Sequence, residues 1–167
     1  MFSAPVLPLT SEIELFLLVA ESQVGVTENP PGSNRGEKIK QYLNATGLGS
    51  GLPWCMAFVS WAGEFALGPK WPLPLVAGCV SAYEDADARD MIRAQANRGA
   101  IFLKWYPRKG RFAHAGICLS ATRGGAWNTI EGNTSGRGSR EGWGCFKRRR
   151  IFEPADRFVY WWAGVAV

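Results

Sequence analysis

The first half of the chain carries its apolar residues at helical spacing. In "SEIELFLLVAESQVG" (11–25), Ile13, Leu17, Ala20 and Val24 fall on one stripe. Ser11 and Glu14 there have the spacing of a capping box, so an amphipathic helix is expected. "TENPPGSNRG" (27–36) reads as a loop and "EKIKQYLNAT" (37–46) as a short helix stopped by Gly47. A second loop, "GLGSGLP" (47–53), delivers the chain to "WCMAFVSWAGEFAL" (54–67), the most apolar helix, which ends at Gly68-Pro69. "EDADARDMIRAQANR" (84–98) reads as a fourth, polar helix.

After Gly99 the period shortens to two. "AIFLKWY" (100–106), "RFAHAGICLSA" (111–121), "AWNTIEGNTS" (126–135), "CFKRRRIF" (145–152) and "RFVYWWAGVAV" (157–167) are strand-like, with an Arg-Gly-Gly turn between the second and third. Helices followed by strands predict an α+β fold, helices packed on a mostly antiparallel sheet. No repeat or linker interrupts residues 1–167, so one domain is expected.

Composition adds a filled core. The chain is 47% apolar with eight Trp and nine Phe, enough to dispense with disulfide staples. Its four cysteines, Cys55, Cys79, Cys118 and Cys145, form no CxxC pair, and there is one histidine, so no zinc site is expected and the thiols read as free. The net charge of +5 is unevenly spread: residues 104–150 hold eleven Lys/Arg against two acids, and the remainder is net acidic. The basic part suits an anionic partner, or is simply a solvated face. No stretch is apolar enough to span a bilayer. The N-terminus has no basic leader, and Glu12 and Glu14 precede "LFLLVA", so no cleaved signal peptide is expected.

Chemistry concentrates at two positions. His114 is the chain's sole imidazole, and a lone histidine is ordinarily structural. In its strand, Phe112, His114, Gly116 and Cys118 alternate with the more aliphatic Ala113, Ala115, Ile117 and Leu119. The next strand carries Thr129, Glu131 and Asn133 on one face. One hairpin register sets His114 across from Asn133 and diagonal to Glu131; a register one notch shorter sets Glu131 directly opposite. In both, a carboxylate and an amide lie near the imidazole, as a general base requires.

Cys55 opens the apolar helix just after Pro53. A thiol at a helix start has its thiolate stabilised by first-turn N–H groups, and a nearby imidazolium lowers its pKa further. Cys79, Cys118 and Cys145 lack that placement and read as structural, as Cys55 itself would from mid-helix.

A helix-opening cysteine, then a strand histidine, then a strand Glu/Asn is the papain-like order. "PWCMAFVSWA", "HAGICLS" and "TIEGNTS", with the helical lead-in "ESQVGVTENPPGSNRGEKIKQYLNATGL", resemble the CHAP amidase/peptidase family, a papain-like branch close to the NlpC-type cell-wall peptidases. The resemblance runs from about Glu21 to Asn133. It implies cleavage of an amide bond in peptidoglycan, with Cys55 as nucleophile, His114 as general base and Glu131 orienting His114. Asn133 would then assist His114 or the oxyanion. It implies no cofactor here: some relatives bind calcium through acids in the loop before the cysteine, and "NATGLGSGLPW" has none. Asn34 and Trp54 are expected to line the cleft, with turn-forming and packing roles as the ordinary alternatives.

Peptidoglycan is thus the expected substrate and a monomer the expected state. A bare catalytic domain of this kind fits a phage lysin or an antibacterial effector, the latter with a secretion-system carrier and an immunity protein as partners, acting in the periplasm or wall of a bacterial target. Two other readings remain: a basic nucleic-acid-binding module, which "KRRRIF" favours but no basic-aromatic motif supports, and a papain-like enzyme acting on a protein isopeptide bond.

Overall fold

The computed structural model describes residues 10–135 and 142–164. Four helices, α1 (Thr10–Glu21), α2 (Glu37–Ala45), α3 (Cys55–Leu67) and α4 (Cys79–Ala88), precede the strands. The strands are β1 (Ile92–Arg93), β2 (Ile101–Tyr106), β3 (Arg111–Ala121), β4 (Trp127–Thr134), β5 (Gly144–Arg150) and β6 (Arg157–Val159). They form one sheet in the order β1-β6-β2-β3-β4-β5, each neighbour antiparallel. This is the expected α+β architecture.

The centre of the helical layer is α3. Cys55 through Gly63 are all buried, as a helix apolar on every side must be. It packs on β3 and β4 with one face and on α1 and α2 with another. Tyr42 of α2 meets Trp54, Phe58 and Trp61 at centroid distances of 5.7, 5.4 and 4.9 Å, so aromatic packing fixes this helix along its length. The opposite face of the sheet carries a smaller cluster, Ala100, Phe102, Cys118 and Phe158.

Several elements differ from the sequence expectation. The first helix ends at Glu21 and leaves Val24 exposed. Ser11 lies inside that helix and donates to Glu12 Oε2 at 2.5 Å, so no capping box forms. The fourth helix spans Cys79–Ala88, not 84–98. Asp90 turns left-handed (φ 53°), Met91 N–H closes back on Ala86 O, and Ile92–Arg93 then pairs with β6. Tertiary pairing here overrides good helix-forming composition. The last strand is three residues long and passes into a 3-10 turn at Trp161–Gly164; the rest of its expected length, 165–167, lies outside the described residues.

Along β3 the pairing register shifts twice, once toward β4 between Cys118 and Ser120 and once toward β2. Lys104 and Trp105 pair with His114 and Phe112, so Ala113 bulges. The extra residue rotates Phe112 out of the His114 face: it packs with Ala115 and Ile117 on the helical side, against Tyr83 and Trp105.

Candidate active site

Pro53 and the glycine loop stop the chain from entering a helix until Trp54, the N-cap of α3, so Cys55 is its first residue. His114 and Glu131 come from the adjacent strands β3 and β4. The pairs Ile117↔Ile130 and Cys118↔Thr129 continue to Gly116 opposite Glu131, with His114 diagonal. A Cβ on Gly116 would lie 2.8 Å from Glu131 Cγ; the missing side chain is what lets the carboxylate reach across. Glu131 Oε2 accepts from His114 Nε2 at 2.8 Å. With Nε2 so engaged, Nδ1 is the nitrogen left for Cys55, and thiol and imidazole each shift the other's pKa.

Glu131 is fully buried yet saturated with donors. Thr129 Oγ1 donates to its Oε1 at 2.6 Å, and Arg150 donates through Nε to Oε1 and through Nη2 to Oε2, each at 2.5 Å. Burial alone would raise its pKa, but the bonds from His114 and Arg150 prevail and lower it to about 2. For His114, burial opposes the charge, while bonds to Cys55 and Glu131 raise its pKa to about 9. The Cys55 thiol is driven well below the ordinary range, foremost by Cys79 and then, against burial, by His114 and the Ala115 N–H. Both directions favour a thiolate–imidazolium pair over neutral thiol and imidazole. Cys55 is 6% exposed and His114 4%, so both are buried.

Asn133 and Asn34 belong to a different network. Asn133, in a left-handed conformation (φ 53°), accepts at Oδ1 from the Trp54 backbone N–H at 3.1 Å. Its Nδ2 donates to Gly142 O at 2.9 Å and to Asn34 Oδ1 at 3.3 Å. Two of these bonds go to the segments leading into α3 and one to the stretch just before β5; none goes to His114. Trp54 is wholly buried, and its indole N–H donates to Glu28 Oε1 at 2.9 Å, so it packs beneath the site and does not wall a groove. Glu28 Oε2 in turn accepts from the Asn34 backbone N–H at 3.0 Å. This network holds the two loops preceding α3 to the end of β4.

Three participants escape a reading of the sequence by motif. Arg150 sits in a run of basic residues that looks like one surface patch. Glu28 meets a partner 26 residues away. Cys79, expected to be structural because it stood outside any helix start, is the first residue of α4, and Cys55 and burial hold its pKa well above the ordinary value. All four cysteines are free thiols. Burial raises the pKa of Cys118 and pushes that of Cys145 up to about 12, so neither is a reactive thiol at neutral pH. Among the described residues no group of three or more His, Cys, Asp or Glu is arranged to hold a metal ion. No helix there is long and apolar enough to cross a membrane.

No family model matches the chain, and no curated protein matches it. Among solved structures it is similar to Ly7917, at 15% identity and a TM-score of 0.50, over 88% of this chain and 61% of that one. It is also similar to Ly7917 solved with the hydrolyzing product of MDP, at 14% identity and a TM-score of 0.49, over 88% of this chain and 62% of the other. The chain therefore spans about three fifths of the length of those structures. The likeness is one of fold.

Proposed function

We propose that the chain is a cysteine hydrolase of the CHAP, papain-like kind that cleaves an amide bond in bacterial peptidoglycan. One observation carries this reading: a hydrogen-bonded line from Arg150 through Glu131 to His114, whose imidazole lowers the pKa of a helix-opening Cys55. Ly7917 has been solved with the hydrolyzing product of MDP, which accords with hydrolysis as the reaction class.

The residues then act as follows. The Cys55 thiolate attacks the substrate carbonyl carbon and forms a tetrahedral oxyanion. The Cys55 backbone N–H, which has no intrahelical acceptor in the first turn, donates to that oxygen. Imidazolium His114 gives its Nδ1 proton to the leaving amine and a thioester remains. Neutral His114 takes a proton from water, the hydroxide displaces the Cys55 sulfur, and acid product leaves. Glu131 fixes the ring through Nε2 and favours its charged form. Asn133 acts on the same machinery at one remove, holding Trp54 and thereby the start of α3.

The basic second half suits anionic wall polymers better than a nucleic-acid groove, because its run of charges is divided among internal partners. Lys147 pairs with Glu21 at 2.6 Å, Arg149 donates to Arg123 O at 3.0 Å, and Arg150 turns inward to Glu131. The biological setting in keeping with this is a monomeric antibacterial effector or phage lysin acting in the periplasm or cell wall of its target, an effector being neutralised by an immunity protein that covers Cys55. The test is digestion of purified sacculi followed by mass spectrometry of the released muropeptides. Products whose masses report a new amine and a new carboxylate, absent with Cys55→Ala, are expected and identify the bond. Release that Cys55→Ala leaves unchanged, or cleavage of protein isopeptide conjugates with sacculi untouched, overturns the reading.

A further inference from the structure

Glu28 is 3% exposed, and each of its carboxylate oxygens takes one N–H group. Oε1 accepts from the Trp54 indole at 2.9 Å, and Oε2 accepts from the Asn34 backbone N–H at 3.0 Å. Both donors are uncharged, so this carboxylate stands apart from the charged line of Arg150, Glu131 and His114. Burying a carboxyl group against two neutral donors is an inefficient source of stability; what it delivers is fixed geometry.

The backbone of Glu28 is anchored independently of those bonds. Residues 25–28 run antiparallel to the start of β5. Gly25 N–H donates to Cys145 O at 2.9 Å, Cys145 N–H donates to Val26 O at 2.8 Å, Thr27 bridges to Gly144, and Glu28 N–H donates to Trp143 O at 2.7 Å. The edge of the sheet therefore carries the carboxylate. From there it reaches Asn34 in the first loop before α3 and Trp54 at the end of the second. The loops are also tied to each other, Gly51 N–H donating to Asn34 O at 3.0 Å.

Trp54 is thus held from two directions, by Glu28 at the indole and by Asn133 at the backbone N–H. Its ring has no slack: it packs on Tyr42 at 5.7 Å, and a Cβ on Gly132 would lie 2.7 Å from Cζ3. The peptide unit that follows Trp54 carries the Cys55 N–H, so the setting of Trp54 fixes the direction of that donor. We propose that Glu28 is a positioning residue for the oxyanion donor, holding the Trp54 indole to the sheet edge and thereby aiming the Cys55 backbone N–H. The role rests on the reading of the chain as a hydrolase with Cys55 as nucleophile. It extends that reading from the thiolate side, where His114 and Glu131 act, to the oxyanion side.

The experiment compares wild type, Glu28→Gln, Trp54→Phe and the double variant at equal folded fraction. Glu28→Gln keeps the side-chain size but offers one acceptor to two donors, so its amide NH2 faces an N–H. Trp54→Phe removes the indole donor and reads the same contact if Glu28→Gln fails to fold. Three quantities are measured: release from sacculi against sacculus concentration, alkylation of Cys55 by iodoacetamide, and the chemical shifts of the Cys55 backbone amide. Alkylation displaces iodide with the sulfur and forms no oxyanion, so it reads the thiolate alone. Glu28→Gln is expected to lower the limiting rate of release about ten- to a hundredfold with the half-saturating concentration unchanged. Alkylation is expected to stay at the wild-type rate, and the Cys55 amide shifts to move. Adding Glu28→Gln to Trp54→Phe is expected to cost little further, because Glu28 acts through Trp54. Release and alkylation falling in equal proportion would mark a general loss of site structure and overturn the proposal, as would an unmoved Cys55 amide. The two readings fail separately. Release that Cys55→Ala abolishes but Glu28→Gln leaves unchanged removes Glu28 alone; wild-type protein inert on sacculi, with the Cys55 amide still moved by Glu28→Gln, removes the hydrolase reading alone.

Discussion

Arg150 and Glu131 are joined by two parallel hydrogen bonds, Nε to Oε1 and Nη2 to Oε2, both at 2.5 Å. The carboxylate is fully buried and the guanidinium side chain 19% exposed. A carboxyl group in that position would ordinarily take up a proton. The fork of Arg150 and the imidazole of His114 keep it charged, and the charge is what lets it orient and stabilise an imidazolium. The guanidinium also lies 5.7 Å over the Phe102 ring, whose own centroid is 5.9 Å from that of His114, so one buried layer contains the ion pair and the base.

Breaking this pair from one side is therefore expected to be costly. Arg150→Met leaves Glu131 buried with His114 and Thr129 as its remaining partners, and a loss of about 3–5 kcal/mol in urea denaturation is expected. Adding Glu131→Gln to the same chain is expected to recover part of it, because the uncompensated charge is gone. A single variant costing under about 1 kcal/mol would show that the pair contributes little.

Cys55→Ala and His114→Ala are each expected to abolish release from sacculi, by at least about a thousandfold, with far-UV dichroism unchanged. Glu131→Gln is expected to lose less, since its amide oxygen still accepts from His114 Nε2. Activity retained in either alanine variant removes that residue from the mechanism.

The order of the candidate site, Cys55 then His114 then Glu131, was legible in the sequence because it depends on local signals. Pro53 and the glycines mark where α3 starts, and period-two spacing put His114 and Glu131 on neighbouring strands in one of the two registers it allowed. Other features depend on distant partners. The Ala113 bulge, invisible to a period count, turns Phe112 toward the helices. The fourth helix begins five residues before the acidic stretch that advertises it, which hid Cys79. A run of four basic residues cannot say which member faces in, and Arg150 does so because Glu131 lies on the adjoining strand. Asn133 meets Trp54 across 79 residues, so its role as a brace on α3 needed the fold.

The pH dependence follows from the two shifted partners. With Cys55 below the ordinary thiol range and His114 raised to about 9, the thiolate–imidazolium pair is expected to persist through neutrality. The kcat/KM profile is expected to fall on its alkaline side near pH 9, as His114 loses its proton; activity still climbing from about pH 8 to 10 would exclude imidazolium as the acid. Stability responds in opposite senses. The His114 contribution is fully present below its ordinary value of 6.5 and is lost as pH rises through about 9. The Glu131 contribution is present above its ordinary 4.5 and is lost as pH falls through about 2. Urea midpoints measured across these windows read both.

Two glycines flank the carboxylate, and their replacement is expected to separate packing from catalysis. A Cβ on Gly116 would come within 2.6 Å of Phe102 Cε1 and 2.8 Å of Glu131 Cγ. Phe102 is fully buried and cannot withdraw, so the Glu131 side chain must move, and with it the bond to His114. A Cβ on Gly132 would lie 2.7 Å from Trp54 Cζ3 and 3.0 Å from Phe58 Cβ, pressing on α3 and leaving the carboxylate alone. Each alanine variant is expected to cost about 1–3 kcal/mol of stability by overpacking. Gly116→Ala is expected to lose activity well beyond that of Gly132→Ala at equal folded fraction, with the deficit in kcat. Gly124→Ala supplies the comparison: its φ is 76° in the hairpin turn and open space surrounds it, so it is expected to cost about 1 kcal/mol and leave activity unchanged. Equal kcat for Gly116→Ala and Gly124→Ala in folded protein would mean that the Glu131–His114 bond does not set the rate.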